Sequence, residues 1–282
     1  MTPILIAAAV VVSIGALCAV MLVVASKLFA VEEDETYAKV RECLPGANCG
    51  ACGYAGCDGY AKALAEDKSI KSNLCVPGGD ATARKISEML GVEFEDVEEK
   101  VAVIHCYGDC NHTSVKMDYV GIKSCEAAKT MYGGYGKCTF GCMGLGDCVK
   151  VCPEGAICIR NGIAHIDTRK CIGCGLCVRT CPRGIIELMA DKEKVLLTCN
   201  NKEKGAVVRK KCTNGCIGCK MCEKNCPSGA IKVENNLARI DYSLCTNCGE
   251  CAKNCPVGCI FVSDFRGLHN SDENIHVKNQ SE

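Results

Sequence analysis

Residues 171–182 read CIGCGLCVRTCP, and the spacing of their cysteines decides what kind of molecule this is. Cys171, Cys174 and Cys177 recur at every third position, Cys181 follows after three intervening residues, and Pro182 comes directly behind it. Two further stretches repeat the pattern: Cys216, Cys219, Cys222 and Cys226 ahead of Pro227, and Cys245, Cys248, Cys251 and Cys255 ahead of Pro256. Three thiolates so spaced wrap one corner of a [4Fe–4S] cube, while the fourth, before Pro, cannot fold back and ligates the neighbouring cube. Zinc fits poorly, because a structural zinc site uses four ligands, usually as two separated pairs. Disulfides would close strained small loops, and haem attachment needs a Cys-x2-Cys-His that occurs nowhere in the chain.

Upstream, a fourth run departs from the pattern. Cys142, Cys148 and Cys152-Pro153 are in register, but Leu145 holds the middle position, and Cys138 is the obvious replacement. Aligning on Cys-Pro exposes an internal repeat. Cys138 and Cys142 precede Cys152 by the same distances as Cys212 and Cys216 precede Cys226, and AICIRNGIAHID and AIKVENNLARID follow the two prolines as strand signals. Cross-ligation then joins Cys138, Cys142 and Cys148 with Cys181, and Cys171, Cys174 and Cys177 with Cys152. In the second copy, Cys216, Cys219 and Cys222 take Cys255, and Cys245, Cys248 and Cys251 take Cys226. Cys212 matches Cys138 in register yet is left without a role.

A fifth site is read nearer the N-terminus, where Cys49, Cys52, Cys57 and Cys75 sit on Gly-rich sequence, with a four-thiolate zinc site as the local alternative. Five [4Fe–4S] clusters are thus expected. Cys106, Cys110 and Cys125 stand close enough to the first repeat to contribute to a sixth, although free or buried thiols are the preferred reading. Cys18, Cys43, Cys158, Cys199 and Cys259 have no assigned partner.

Composition supports metal as the organising element: 29 of 282 residues are Cys, Trp is absent, and Phe and Tyr number only 5 and 8, little material for an aromatic core. Lys+Arg and Asp+Glu balance at 33 each, which excludes a general nucleic-acid binder. Ile4 to Ala25 carries no charge, and its length of about 33 Å would span a hydrocarbon core of roughly 30 Å. A single transmembrane anchor is therefore expected, with the soluble part in the cytoplasm because Lys27, Lys39 and Arg41 follow it and thiolates survive best in a reducing compartment. The expected class is α+β, laid out as an anchor (1–30), a charged linker (31–42), a small cluster domain (43–100), two cluster modules (101–190 and 191–263) and a polar tail (264–282). Asp80 is expected to cap a helix over ARKISEMLGVEFEDVEEK, interrupted near Gly91.

The order of anchor, Cys-x2-Cys-x4-Cys-x17-Cys domain and ferredoxin-like modules resembles the B subunit of Rnf-type ion-translocating ferredoxin:NAD⁺ oxidoreductase complexes, most specifically in LPGANCGACGYAGCDGYAKAL. The resemblance implies tandem 2[4Fe–4S] ferredoxin modules that take electrons from reduced ferredoxin and pass them to other subunits in the cell (inner) membrane. Ferredoxin oxidation and NAD reduction would thereby drive Na⁺ or H⁺ translocation. It implies an electron-transfer part of an enzyme complex, with no catalytic residue of its own. Two other classes compete: a reductase with an open-coordination cluster at Leu145, and an iron–sulfur carrier. The run Lys192–Lys224, nine Lys/Arg against three Glu, is a candidate docking face for an acidic donor.

Overall fold

A computed structural model describes the backbone of residues 2–28, 35–190 and 192–263, with side chains in the first segment described for 12–26. Helix α1 (Thr2–Leu28) is mostly aliphatic, with Lys27 its one charged residue, and its large apolar side chains from Val12 to Val24 are exposed. Among the described residues no helix is long and apolar enough to cross a membrane. The N-terminal part of the apolar run read from the sequence, residues 4–11, has side chains outside that set, and the polar tail from residue 264 lies outside it altogether.

Three helices form the next unit: α2 (Glu35–Cys43), α3 (Gly56–Glu66) and α4 (Gly79–Leu90). They close on Val40, Tyr60, Ala61, Leu64 and Ile86, all essentially inaccessible. The expected linker 31–42 is therefore helical from Glu35 onwards, because Val40 has a core to fill; residues 31–34 lie outside the described set. Asp80 is not the cap of α4. It sits in the first turn, and its Oδ1 accepts from the Val97 amide at 2.8 Å, which ties residues 92–99 back onto the helix. Gly91, at φ +67°, ends α4, and no helix follows it before residue 100.

Beyond residue 100 the chain builds two like modules. In the first, β1 (Lys100–Ile104) pairs antiparallel with β4 (Ile186–Ala190), and β2 (Ile157–Arg160) forms a hairpin with β3 (Ile163–Ile166). In the second, β5 (Val195–Leu197) pairs with β8 (Ile260–Val262), and β6 (Ile231–Glu234) with β7 (Leu237–Ile240). Asn161-Gly162 and Asn235-Asn236 turn the two hairpins with both central residues at positive φ, as a type I′ turn requires. Helices α5 (Cys125–Thr130), α6 (Asp147–Lys150) and α7 (Leu176–Thr180) belong to the first module, and α8 (Gly205–Lys211), α9 (Met221–Lys224) and α10 (Glu250–Lys253) to the second. Each module core is a small set of Ile, Val and Ala side chains completed by cysteines. The modules join through Tyr107 stacked on Phe261 at 5.1 Å, a bridge between Thr113 and Cys212, and the His112 carbonyl accepting from the Thr213 amide at 2.9 Å.

Candidate metal centres

The short helices explain how the thiols converge. α6, α7, α9 and α10 each start behind a residue in the left-handed region (Gly146, Gly175, Lys220, Gly249), so the loop before each helix curls and turns its sulfurs inward. Cys152, Cys171, Cys174 and Cys177 line one cavity of about 350 Å3. Cys216, Cys219, Cys222 and Cys255 line another of about 300 Å3, and Cys49, Cys52, Cys57 and Cys75 a third of the same size. Cys251 lies within electrostatic reach of Cys245, Cys248 and Cys226, giving a fourth set.

The structure departs from the expected grouping at Cys138. The cavity that holds Cys142, Cys148 and Cys181 is completed by Cys125, at the start of α5, and Cys138 is not in its lining. Cys138 instead faces a neighbouring cavity of about 490 Å3 with Cys106, Cys199 and Cys212, and Cys142 lines both cavities. The chain returns to this cavity four times: behind β1, before Cys142, behind β5 and at the end of α8. Cys106 and Cys199 each stand two residues past a module's first strand, and Cys138 and Cys212 are the register-matched pair of the repeat. The site is thus shared evenly between the modules. The sequence signals for it were the match of Cys212 to Cys138, which needed a partner module rather than a partner run, and the nearness of Cys106 to the first repeat. Cys110 and Cys158 are exposed and belong to none of the six sets, as do Cys18, Cys43 and Cys259.

These sets suit an inorganic cube. Among the described residues no three His, Cys, Asp or Glu converge tightly enough to hold a single metal ion. Burial, reinforced by neighbouring thiols, pushes Cys148 up to about 12, and Cys75, Cys177 and Cys251 up to about 11. As thiolates they would be costly without a cationic partner to offset desolvation and mutual repulsion, which iron supplies. Backbone amides point at the sulfurs: Ala102 N donates to Cys171 Sγ at 3.3 Å, Ala156 N to Cys152 Sγ at 3.3 Å, and Gly144 N to Cys142 Sγ at 3.4 Å.

The sets follow one another in a continuous series. The Arg179 guanidinium donates to the Cys49 carbonyl, and Cys174 lies within electrostatic reach of Cys49. Cys148 is similarly near Cys177, and Cys142 N donates to Cys106 Sγ at 3.3 Å. Cys199 accepts a hydrogen bond from the Cys216 amide, and the core of the second module packs Cys216 and Cys222 with Cys226, Cys245 and Cys251.

Comparison with known proteins names the lineage. An Fe-S cluster family model matches residues 44–77, and two 4Fe-4S dicluster models match 170–231 and 215–259. The chain is 46% identical over 233 residues, 82% of each protein, to the B subunit of the proton-translocating ferredoxin:NAD(+) oxidoreductase complex of Clostridium ljungdahlii. It is 39% identical to the B subunit of the Na(+)-translocating ferredoxin:NAD(+) oxidoreductase complex of Acetobacterium woodii, over 82% of this chain and 69% of that one. It is 40% identical to the B subunit of the ion-translocating oxidoreductase complex of Methanosarcina acetivorans, over 84% of this chain and 90% of that one. The chain belongs to the Rnf B-subunit family. Family membership brings in the ferredoxin-like 4Fe-4S domains and a multi-subunit complex. It does not choose the ion, since the two bacterial relatives named for one carry different ions.

Proposed function

We propose that the chain relays single electrons from reduced ferredoxin to the membrane subunits of an ion-translocating ferredoxin:NAD⁺ oxidoreductase complex, along six [4Fe–4S] centres. One observation carries this reading: all but five of the twenty-nine cysteines fall into six sets of four, and each set neighbours the next. When bound, the clusters supply one-electron chemistry, which needs no substrate pocket, acid or base. The chain's own residues hold the sulfurs, aim amides at them and exclude water with Ile, Val and Ala walls.

The exposed aliphatic face of α1 supports a single-pass anchor, with the Cys49 set held near the membrane by α2. The modules would then face the cytoplasm. Of the basic run, Lys194, Lys202, Lys204, Arg209, Lys210, Lys220 and Lys224 are exposed, whereas Lys211 is committed to Glu203 at 2.5 Å and Lys192 pairs with Glu98 at 2.8 Å, so most of the run is free to form a docking face. A reductase with an open coordination position at Leu145 loses its basis, because Cys125 stands in that set and Leu145 packs beside it with Ala128 and Met143.

Iron and acid-labile sulfide per chain, measured anaerobically on the full-length protein, test the proposal. Twenty-four iron atoms are expected, four for each set; twenty would mean that one set, such as that of Cys106, Cys138, Cys199 and Cys212, is not a centre. A carrier would in addition lose its iron to apo-acceptors, which a relay does not.

A further inference from the structure

Cys259 is left over from the six sets, yet it is the most deeply buried of the five spare cysteines, at 1% exposure. It lines the cavity of Cys216, Cys219, Cys222 and Cys255. Its Sγ lies 3.6 Å from Cys255 Sγ, within the reach of a sulfur hydrogen bond, and its thiol also contacts the Cys216 sulfur. The placement is built into the fold. The Cys259 carbonyl accepts from the Thr198 amide at 2.8 Å and from Thr198 Oγ1 at 3.0 Å, and Thr198 is itself buried.

The internal repeat supplies its own control. Cys259 is the fourth residue beyond the Cys of a Cys-Pro pair, and the same position in the other runs is Ala156, Ile185 and Ala230. All four are buried, at 1–3% exposure. Ala156 and Ile185 line their own cavities just as Cys259 does. The backbone amide of this residue reaches the Cys sulfur for Ala156, Ala230 and Cys259, so that donor is common property. The S–H is an extra donor that one centre has and its counterparts lack.

We propose that Cys259 is not a ligand but a hydrogen-bond donor to the ligand sulfur of Cys255, and that it holds this centre at a higher reduction potential than its counterpart on Cys125, Cys142, Cys148 and Cys181. The sign follows from charge. Reduction adds negative charge that spreads onto the ligand sulfurs, a donor stabilises the more negative state more, and the potential rises. The counterpart centre has the Ile185 side chain at that point and gains nothing. Cys219, in the same set, is exposed, as Cys248 is in the neighbouring one, so this centre can be reached by a donor from outside. The inference rests on the reading of this set as a [4Fe–4S] centre.

Anaerobic redox titration of the full-length protein, followed by electron paramagnetic resonance, tests it with Cys259→Ala and Cys259→Ser. In Cys259→Ala the iron content should equal that of the wild type while one midpoint moves to lower potential. The expected move corresponds to about a tenfold fall in the reduced-to-oxidised ratio at fixed potential, which is 59 mV for one electron. Cys259→Ser keeps an O–H donor in the same place and should recover most of that shift. Loss of four iron atoms in Cys259→Ala would make Cys259 a ligand and overturn the proposal; so would an unmoved midpoint, or a serine variant shifted as far as the alanine one. Failure of the cluster reading itself would show instead in the wild-type iron count.

Discussion

The residue that ties Cys125 into its set is Asp147. Its carboxylate is buried, and Oδ2 accepts from Ser124 Oγ at 2.8 Å and from the Glu126 amide at 3.1 Å, which fixes the start of α5 against α6 and brings Cys125 to Cys148. Burial alone would push this carboxyl up, but Ser124, the amides of Glu126 and Cys125, and Lys150 more than offset it and hold it below the usual carboxylate range. A carboxyl depressed on folding contributes stability that is fully present above its unfolded value, about 3.9, and is lost as pH falls through the folded value. Asp147→Ala should therefore cost about 1.5–3 kcal/mol at neutral pH, the range for hydrogen bonds to a charged group. Iron should fall selectively by four atoms as the Cys125 set loosens, and the stability difference from wild type should not change between pH 7 and pH 5. Anaerobic denaturant titrations with iron analysis check both; an unchanged iron count would mean that α5 is held by something other than Asp147. Asp147 and Cys125 also mark a limit of reading by local spacing. The x2 runs are legible because all three ligands sit on one loop, whereas Cys125 reaches its set from a helix seventeen residues ahead of Cys142, through a hydrogen-bond network that leaves no periodic trace.

At the scale of elements, the loop that carries the cysteines rests on the turn of the hairpin that follows it. In the first module a Cβ on Gly144, whose φ is +66°, would stand 2.3 Å from the Gly162 carbonyl oxygen, backbone that cannot give way. In the second, a Cβ on Gly218 (φ +65°) would stand 2.9 Å from the Asn236 carbonyl oxygen, in the same register of the repeat. The repeat and the strand character of both stretches were readable in the sequence because alternating aliphatics are a local signal; that each folds into a hairpin came from the structure. The close approach of loop to turn was not readable either, since it depends on how the hairpin folds back over Cys142. Gly144→Ala combines left-handed strain with a backbone collision and should destabilise the first module by roughly 2–4 kcal/mol. Gly162→Ala has open space around its added methyl and faces only the strain of its φ of +78°, about 1–2 kcal/mol. Thermal unfolding of the two variants under anaerobic conditions should rank them in that order; equal losses would show that the contact at Gly144 is relaxed at little cost.

Across the whole molecule, the set of Cys106, Cys138, Cys199 and Cys212 joins what would otherwise be two separate ferredoxin-like modules, because each module supplies two of its thiols. Those thiols lie up to 106 positions apart in the chain, which is why reading by runs left Cys199 and Cys212 without a role and placed Cys106 only beside Cys110 and Cys125. The fold holds the junction from both sides: Asn201 Nδ2 approaches Cys138 Sγ at 3.6 Å, Thr113 Oγ1 donates to the Lys211 carbonyl at 2.7 Å, and Asn214 Nδ2 donates to the Tyr107 carbonyl at 3.3 Å. If the six sets act in series, removing this one should interrupt the relay at its middle. Cys199→Ala is expected to lower iron from twenty-four to twenty atoms. With ferredoxin docking at the second module, the Cys216 and Cys226 sets should still be reduced rapidly, while reduction of the first module and the Cys49 set slows by orders of magnitude. Stopped-flow reduction by ferredoxin, with the fast and slow fractions counted against total iron, reads this directly. One structural feature argues for a way round: Tyr242 packs in the same apolar cluster as Cys171 and lies within electrostatic reach of Cys245 and Cys251, so the Cys152 and Cys226 sets approach each other across it. Should all the remaining centres of Cys199→Ala be reduced at the wild-type rate, the electron crosses at Tyr242, and the shared set serves to clamp the modules rather than to conduct between them.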